Sequence, residues 1–185
     1  MIEQAINLAA RYHEGQKRKG TDIPYITHPF AVAVILAQVG CPQEVIVAGI
    51  LHDTLEDTPL TLSELEKTFG ARVAQIVQGA SEPNHHDAEW EERKAHTIRY
   101  LAKEAPLEVR LVAAADKLHN IRSIAADLRK HGAKTWERFR RGREAQEGYY
   151  RGLVESLCHR QDNGGYEELF KAFEEEVERV FPMVG

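Results

Sequence analysis

The sequence predicts an all-α protein, and two observations lead to this prediction. Apolar residues recur at helical spacing along almost the whole chain, beginning with Ile2, Ala5, Ile6 and Ala9. Segments that alternate polar and apolar residues, as a half-buried strand does, are hard to find. We therefore expect one domain of about eight to ten helices.

Turn-forming residues mark the helix ends in the first third of the chain. The first helix is expected to end near Gly15, and a loop containing Pro24 follows it. Thr27 is the predicted N-terminal cap of the second helix, which places His28 at the start of that helix. A third helix is predicted over residues 43–55.

The later helices follow from the same kinds of signal. Thr61 and Glu64 form a capping-box pattern at the start of one helix, and Gly70 separates that helix from the next. Residues 81–87 have the strongest turn chemistry of the chain. The helices predicted beyond Gly70 cover residues 71–79, 89–103, 107–129, 135–158 and 166–181.

The composition limits the class of protein. The chain of 185 residues has 24 Lys and Arg against 29 Asp and Glu, a formal net charge of −5, and 43% of its residues are hydrophobic. This balance argues against disorder and against binding nucleic acid mainly through phosphate charge. The longest apolar run, residues 31–37, is too short to cross a membrane, and the first residues lack a basic signal-peptide region. We expect a cytoplasmic protein.

The most informative segment is residues 51–58, LHDTLEDT, where ionisable side chains follow an apolar helix. Asp57 lies four residues after Asp53, and Glu56 lies four after His52, so each pair is expected to share one face of a helix. Burying several carboxylates without a cation is strongly disfavoured. A metal ion would remove this conflict. The alternative is a helix end at which the acidic side chains are solvated.

A second aspartate interrupts an apolar helical run at residues 109–121. Asp116, His119 and Asn120 are expected on one face of that helix. The expected metal ligands, two imidazoles and two carboxylates, are His28, His52, Asp53 and Asp116. Such a mixed set suits one first-row divalent ion. We expect Mn first, with Zn, Fe, Co and Mg as alternatives.

Several blocks of sequence carry a family resemblance. In chain order they are residues 9–19, 24–29, 51–58, 69–70 and 115–122. Together they resemble the hydrolase domain of RelA/SpoT proteins and the stand-alone small alarmone hydrolases, members of the HD superfamily of metal-dependent phosphohydrolases. The resemblance implies an HD-type helical domain over residues 1–185, with a motif core at 1–125 and C-terminal helices at 133–181.

The resemblance also implies a function. The chain would be an enzyme, a (p)ppGpp 3′-pyrophosphohydrolase that releases pyrophosphate from the 3′ position of the alarmone. The four expected ligands would hold the metal, and Glu56 and Asp57 would work beside it as catalytic residues. Arg18, Lys19 and Asn120 would bind this small-molecule nucleotide substrate.

Two other functions stay open at this point. One keeps the metal site but acts on another nucleotide, such as a dNTP, a nucleoside monophosphate or NADPH. The other is an HD module that senses nucleotides without turnover. The presence of both Glu56 and Asp57 counts against the sensor, since pure binding needs neither. A homo-oligomer is compatible with the sequence.

Two segments need separate treatment. Where the long hydrolases usually continue with Val-Thr-Lys, residues 79–83 of this chain read GASEP. His85 and His86 follow, and we expect them to be exposed and not to be ligands, because adjacent side chains in a polar loop point apart. The arginine-rich region at residues 138–143 supplies either nucleotide contacts or a solvated helix face.

Overall fold

The computed structural model describes residues 1–82 and 89–182. These residues form ten α-helices and one 3₁₀ helix, Gly132–Arg138, and their β-type pairing is an isolated bridge between Lys17 and Pro24. The α-helices in order are α1 Ile2–Tyr12, α2 Thr27–Gln38, α3 Gln43–Leu51, α4 Thr54–Asp57, α5 Leu62–Phe69, α6 Ala71–Ala80, α7 Trp90–Lys103, α8 Leu107–His131, α9 Gly142–Leu157 and α10 Glu167–Val180. The predicted all-α fold is confirmed.

Helix α8 is the central element of the fold. It packs against α2, α3, α6 and α10. Every residue from Val109 to Asp116 is buried, although a helix buried on all sides is normally apolar. Asp116 therefore needs polar partners within the core. Neither α8 nor any other described helix is long and apolar enough to cross a membrane.

Helices α2 and α3 approach each other closely, and this approach brings two histidines together. A Cβ atom at Gly49 of α3 would lie 2.5 Å from Leu36 Cδ1 of α2, so a larger residue would force the helices apart or displace the leucine. His28 lies in the first turn of α2, and His52 directly follows Leu51, the last residue of α3. Their ring centroids are 5.2 Å apart.

The predicted helix over residues 43–55 is wrong in its last turn. Helix α3 ends at Leu51, and α4 begins at Thr54 after a two-residue turn. The Thr54 hydroxyl donates to the Leu51 carbonyl at 2.6 Å, and His52 Nδ1 lies 2.8 Å from the Gly49 carbonyl. Side chains that bind backbone carbonyls in this way compete with the helical hydrogen bonds. The acidic residues beyond Leu51 therefore do not lie on faces of one continuous helix.

Two predicted helix starts are also wrong. Thr27 is already inside α2, whose cap position is Ile26, and the Thr27 hydroxyl donates to the Pro24 carbonyl at 2.8 Å. The helix predicted over residues 135–158 begins only at Gly142. The residues before it form the 3₁₀ helix, and Gly142 has a φ of +70°, a conformation that interrupts a right-handed helix.

The predicted capping box at the start of α5 is confirmed. The Thr61 hydroxyl accepts a hydrogen bond of 3.3 Å from the Glu64 N–H, and the Glu64 carboxylate accepts one of 2.9 Å from the Thr61 N–H. Gly70 separates α5 from α6 as predicted, with a φ of +88°. Local sequence signals thus set these two helix ends correctly.

Candidate active site

Four side chains from three separate segments converge in the structure. They are His28 of α2, His52 and Asp53 of the turn after α3, and Asp116 of α8, and we call them the His–Asp cluster. His28 Nε2 lies 3.1 Å from Asp116 Oδ1 and 3.5 Å from Asp53 Oδ2. His52 Nε2 lies 3.1 Å from the same Asp53 oxygen and 3.8 Å from the same Asp116 oxygen. Two nitrogen and two oxygen donors therefore face one another at spacings that a single metal ion could bridge.

His52 is oriented so that its Nε2 atom faces the cluster. Its Nδ1 atom lies 2.8 Å from the Gly49 carbonyl, so Nδ1 carries the proton of this hydrogen bond. The Nε2 atom is buried and makes no hydrogen bond to any described residue. The Asp53 and Asp116 carboxylate oxygens lie 3.1 and 3.8 Å from it, so this nitrogen can hold either a proton or a metal ion.

His119 contacts the His28 ring through its Nδ1 atom, on the side away from the cluster. The Nδ1 atoms of the two rings are 2.7 Å apart. Burial lowers the pKa of His28 and, with the nearby His28 ring, lowers the pKa of His119 to about 4, so both rings are neutral. One of these Nδ1 atoms donates to the other, and the contact orients the His28 ring with Nε2 facing the cluster. Metal-binding histidines are commonly oriented by such a hydrogen bond.

Both carboxylates of the cluster are fixed by hydrogen bonds. The Tyr25 hydroxyl donates to Asp53 Oδ2 at 2.6 Å. The Lys117 ammonium donates to Asp116 Oδ2 at 2.6 Å, and the Asn120 amide donates to Asp116 Oδ1 at the same distance. Asp116 and Asn120 thus meet on one face of α8, as their spacing predicted.

The electrostatics of the cluster favour a bound cation. Burial alone would lower the pKa of His52, but the Asp53 and Asp116 carboxylates raise it well above its usual value. Burial alone would raise the pKa of Asp116, but Lys117 and the two histidines hold it well below its usual range. Burial would likewise raise the pKa of Asp53, but His52 lowers it below its usual value. Both carboxylates are therefore ionised, and a metal ion would compete with a proton for His52 Nε2.

Glu56 and Asp57 of α4 line the same cavity as the His–Asp cluster. Partial burial raises the pKa of both carboxyl groups, and the nearby charges of Glu82 beside Glu56 and of Asp53 beside Asp57 raise it further. A carboxylate with a raised pKa accepts a proton more readily near neutral pH. The structure thus places both predicted catalytic residues at the cluster.

The cavity that contains the cluster, which we call the cluster cavity, has a volume of about 600 Å³. Arg18 and Asn120 form part of its wall, and the Arg18 guanidinium donates to the Asn120 side-chain oxygen at 2.7 Å. Lys19, the third residue predicted to bind substrate, is exposed and does not line this cavity. It lines a neighbouring cavity of about 470 Å³.

This neighbouring cavity, which we call the aromatic cavity, is lined by basic and aromatic side chains. They include Lys19, Trp90, Arg138, Phe139, Tyr149 and Tyr150. Within the arginine-rich region, some side chains are therefore placed for nucleotide contacts and others lie on the solvated surface. Arg138 lines the cavity, whereas Arg141 and Arg143 form ion pairs with glutamates near the surface.

Sequence reasoning missed several residues of the site. Tyr25 lies three residues before His28, and Lys117 follows Asp116 directly, so their positions in the chain were signals of proximity. No local pattern predicted that Lys94 of α7 lines the cluster cavity. The predictions for His85 and His86 lie outside the described residues.

Comparison with solved structures supports the fold. The structure of lmo0812 from Listeria monocytogenes has a TM-score of 0.77 and 36% sequence identity, and the match covers 83% of this chain and 98% of that one. The structure of a metazoan ortholog of SpoT, described as hydrolysing ppGpp, has a TM-score of 0.78 and 26% identity, and the match covers 99% and 96% of the two chains.

Two relatives show how far the sequence similarity extends. MESH1 of Danio rerio, named a guanosine-3′,5′-bis(diphosphate) 3′-pyrophosphohydrolase, is 42% identical over 130 residues, which are 67% of this chain and 69% of MESH1. The GTP pyrophosphokinase of Streptomyces coelicolor is 42% identical over 125 residues. That match covers 66% of this chain but 14% of the relative, so the chain spans a small part of such long proteins.

The fold and the site together define a class of all-α proteins that carry a buried cluster of histidine and aspartate side chains. The family model of the HD domain matches residues 5–144, most of the chain. The chain belongs to the HD domain family.

Proposed function

We propose that this chain is a metal-dependent phosphohydrolase that acts on (p)ppGpp and releases pyrophosphate from its 3′ position. The observation that carries the proposal is that Glu56 and Asp57 share one cavity with the His–Asp cluster. Hydrolysis of a phosphate ester needs a cation for the phosphate charge and a group that accepts a proton from water. The name of the zebrafish relative, which is similar over most of its length, supports this substrate.

The residues proposed to hold the metal are His28, His52, Asp53 and Asp116. The buried Nε2 atom of His52, which has no hydrogen-bond partner among the described residues, supports this assignment. When bound, the ion supplies positive charge at the reacting phosphate and activates a water molecule. Mn is our first choice, because four protein ligands leave positions for substrate only around a five- or six-coordinate ion.

Glu56 and Asp57 are proposed to orient the attacking water and to take up its proton. Their raised pKa values suit this role, because a more basic carboxylate holds the proton better. Both side chains belong to α4, one short helix directly after Asp53. The proton acceptor and a proposed metal ligand are therefore held by neighbouring residues of the chain.

The nucleotide is proposed to extend from the cluster cavity into the aromatic cavity. Arg18 and Asn120 line both cavities and lie where a phosphate would pass between them. Trp90 and Phe139 offer aromatic surfaces to a base, and Lys19 offers a positive charge at the wall of the aromatic cavity. Arginine and lysine side chains commonly bind phosphate groups in such positions.

We also propose that residues 1–185 work as one domain. Every proposed metal-binding and catalytic residue lies within residues 1–125. Arg138 and Tyr149, however, complete the aromatic cavity from the C-terminal part of the chain. A nucleotide that occupied both cavities would need both parts.

The experiment is to incubate Mn-loaded protein with ppGpp and to separate the products by anion-exchange chromatography. We expect GDP and pyrophosphate, with the 5′-diphosphate intact. Parallel reactions with a dNTP, a nucleoside monophosphate and NADPH test the other phosphohydrolase activities. Clear turnover of one of these without turnover of ppGpp would refute the substrate and keep the enzyme class. Binding of ppGpp without turnover of any substrate would instead favour the sensing module.

A further inference from the structure

Four residues stand at the junction of the cluster cavity and the aromatic cavity. They are Arg18, Lys94, Lys117 and Asn120, and each lines both cavities. Three of the four are cations. A concentration of positive charge between two cavities that share these lining residues is expected to attract a polyanion.

The three cations differ in their partners. Arg18 donates to the neutral amide of Asn120. Lys117 is bound to Asp116, which the proposed metal site already uses. Lys94 is paired with Glu82, a carboxylate that belongs neither to the cluster nor to the proposed catalytic pair.

The surroundings of Lys94 favour a second anion. The side chain is 19% exposed, and its pKa is lowered by burial and by the nearby Lys117 charge, although Glu82 opposes this effect. Its ammonium lies 5.1 Å from the centre of the Tyr149 ring. The Tyr149 hydroxyl is buried and makes no hydrogen bond to any described residue. An incoming phosphate would therefore meet a partly desolvated cation that lies against the Tyr149 ring.

Glu82, which forms the ion pair with Lys94, lies in the segment that follows α6. Its carboxylate contacts both Lys94 and Arg93, the latter at 3.0 Å. Its backbone N–H also donates to Glu56 at 3.3 Å. Glu82 is 14% exposed, so its negative charge lies close to where a phosphate would bind Lys94.

We infer that Lys94 is a phosphate-binding residue at the junction of the two cavities. The Glu82 carboxylate forms an ion pair with the Lys94 ammonium until a nucleotide phosphate replaces it. The inference rests on the proposed function only in taking a phosphorylated nucleotide as the ligand. Lys94 lines both cavities, so it would bind a phosphate group that lies between them. Glu82 lowers the affinity of this site for phosphate, because its carboxylate competes for the Lys94 ammonium.

The test measures binding without turnover. GDP is titrated by calorimetry into Mn-loaded wild-type protein and into the variants Lys94→Ala, Lys94→Arg and Glu82→Gln. We expect Lys94→Ala to weaken binding by about tenfold or more, the effect of losing one charge-assisted hydrogen bond. Lys94→Arg should recover part of this loss. Glu82→Gln should tighten binding by roughly threefold, because the competing charge is gone.

Two controls separate binding from folding and from base recognition. Lys103→Ala removes an exposed lysine at the far end of the same helix and should bind GDP like the wild type. Thermal unfolding monitored by circular dichroism shows whether each variant is folded. Titrations with ADP repeat the comparison with another base, and a phosphate subsite should respond to Lys94→Ala in the same way.

Equal GDP affinity of the wild type and a folded Lys94→Ala variant would overturn the inference, and so would failure of the wild type to bind either diphosphate. Weaker binding by Glu82→Gln would overturn the competing role of Glu82. These results do not depend on whether ppGpp is cleaved. The inference can therefore fail while ppGpp hydrolysis is observed, and it can hold when hydrolysis is absent.

Discussion

The Tyr25 hydroxyl donates a 2.6 Å hydrogen bond to Asp53 Oδ2, the same oxygen that lies 3.1 Å from His52 Nε2. Burial and the Asp53 charge raise the pKa of Tyr25, so the phenol keeps its proton and remains a donor. Its ring packs against the buried His13, with ring centroids 5.0 Å apart. Tyr25 thus fixes the direction in which the Asp53 carboxylate points.

Replacing Tyr25 by Phe is expected to lower metal affinity by about tenfold, because partners that orient a ligand typically contribute 10- to 100-fold. The affinity is measured by competition with a chromophoric chelator. Tyr12→Phe is the matched control, since Tyr12 lines a separate surface pocket. Wild-type metal affinity in a folded Tyr25→Phe variant would show that Asp53 is oriented without the phenol.

The Asp116→Ala variant is expected to lose most of its metal, because Asp116 is one of two carboxylates among the four proposed ligands. Metal content is measured by plasma mass spectrometry after loading with Mn and gel filtration, with about one ion per chain expected in the wild type. Asp127→Ala, on the same helix but paired with Arg138, should keep its metal. Full occupancy in a double variant that lacks both His52 and Asp53 would contradict the proposed ligand set.

Glu56→Gln and Asp57→Asn are expected to keep the metal but to lower kcat by about 10²-fold or more, the usual effect of removing a general acid or base. Metal content and turnover are measured on the same preparations. Glu66→Gln, an exposed change on the next helix, provides the control. If both site variants lost the metal, Glu56 and Asp57 would be ligands and not proton acceptors.

Arg18→Ala is expected to raise KM by about tenfold with little change in kcat, because a group that binds ground state and transition state alike contributes uniform binding. Lys19→Ala should raise KM less, since Lys19 is exposed and lines only the aromatic cavity. Lys17→Ala is the control, because Lys17 pairs with Asp22 at the surface at 2.6 Å. A fall in kcat with unchanged KM would instead place Arg18 in the chemical step.

His159 is expected to titrate above its usual pKa of 6.5, because it hydrogen-bonds to Glu174 and Glu155, both at 3.0 Å. A raised folded-state pKa contributes stability that is fully present below the unfolded pKa. This contribution is lost as pH rises through the folded value. NMR titration of the imidazole checks the direction, and Glu174→Gln should lower the pKa. A value at or below 6.5 in the wild type would contradict both contacts.

The all-α class, the order of most helices and the meeting of the four His–Asp cluster residues were predictable from the sequence. Asp116 interrupts an apolar helical run, and a buried carboxylate requires a partner, so its meeting with His28 and His52 followed from physical chemistry and from the order of the motifs. The capping box at Thr61 was predictable because capping is a local interaction.

Other features could not be predicted, because they depend on contacts between distant parts of the chain. The helix ends at Leu51 because side chains of the following turn bind its carbonyls, which no apolar period reveals. The pairing of Lys94 with Glu82 depends on how α7 packs against the segment after α6. The aromatic cavity likewise depends on the packing of α9, which brings Tyr149 towards Lys94.

The two halves of the site differ in how readily their backbone can open. Asp116 lies in the buried part of α8, a helix of 25 residues that is about 37 Å long, so exposing its amide to hydrogen exchange requires unfolding much of the core. Glu56 and Asp57 lie in a helix of four residues, which can open in a local fluctuation. One proposed metal ligand is therefore anchored in the core, while the carboxylates proposed to move the proton can adjust their positions at a lower free-energy cost.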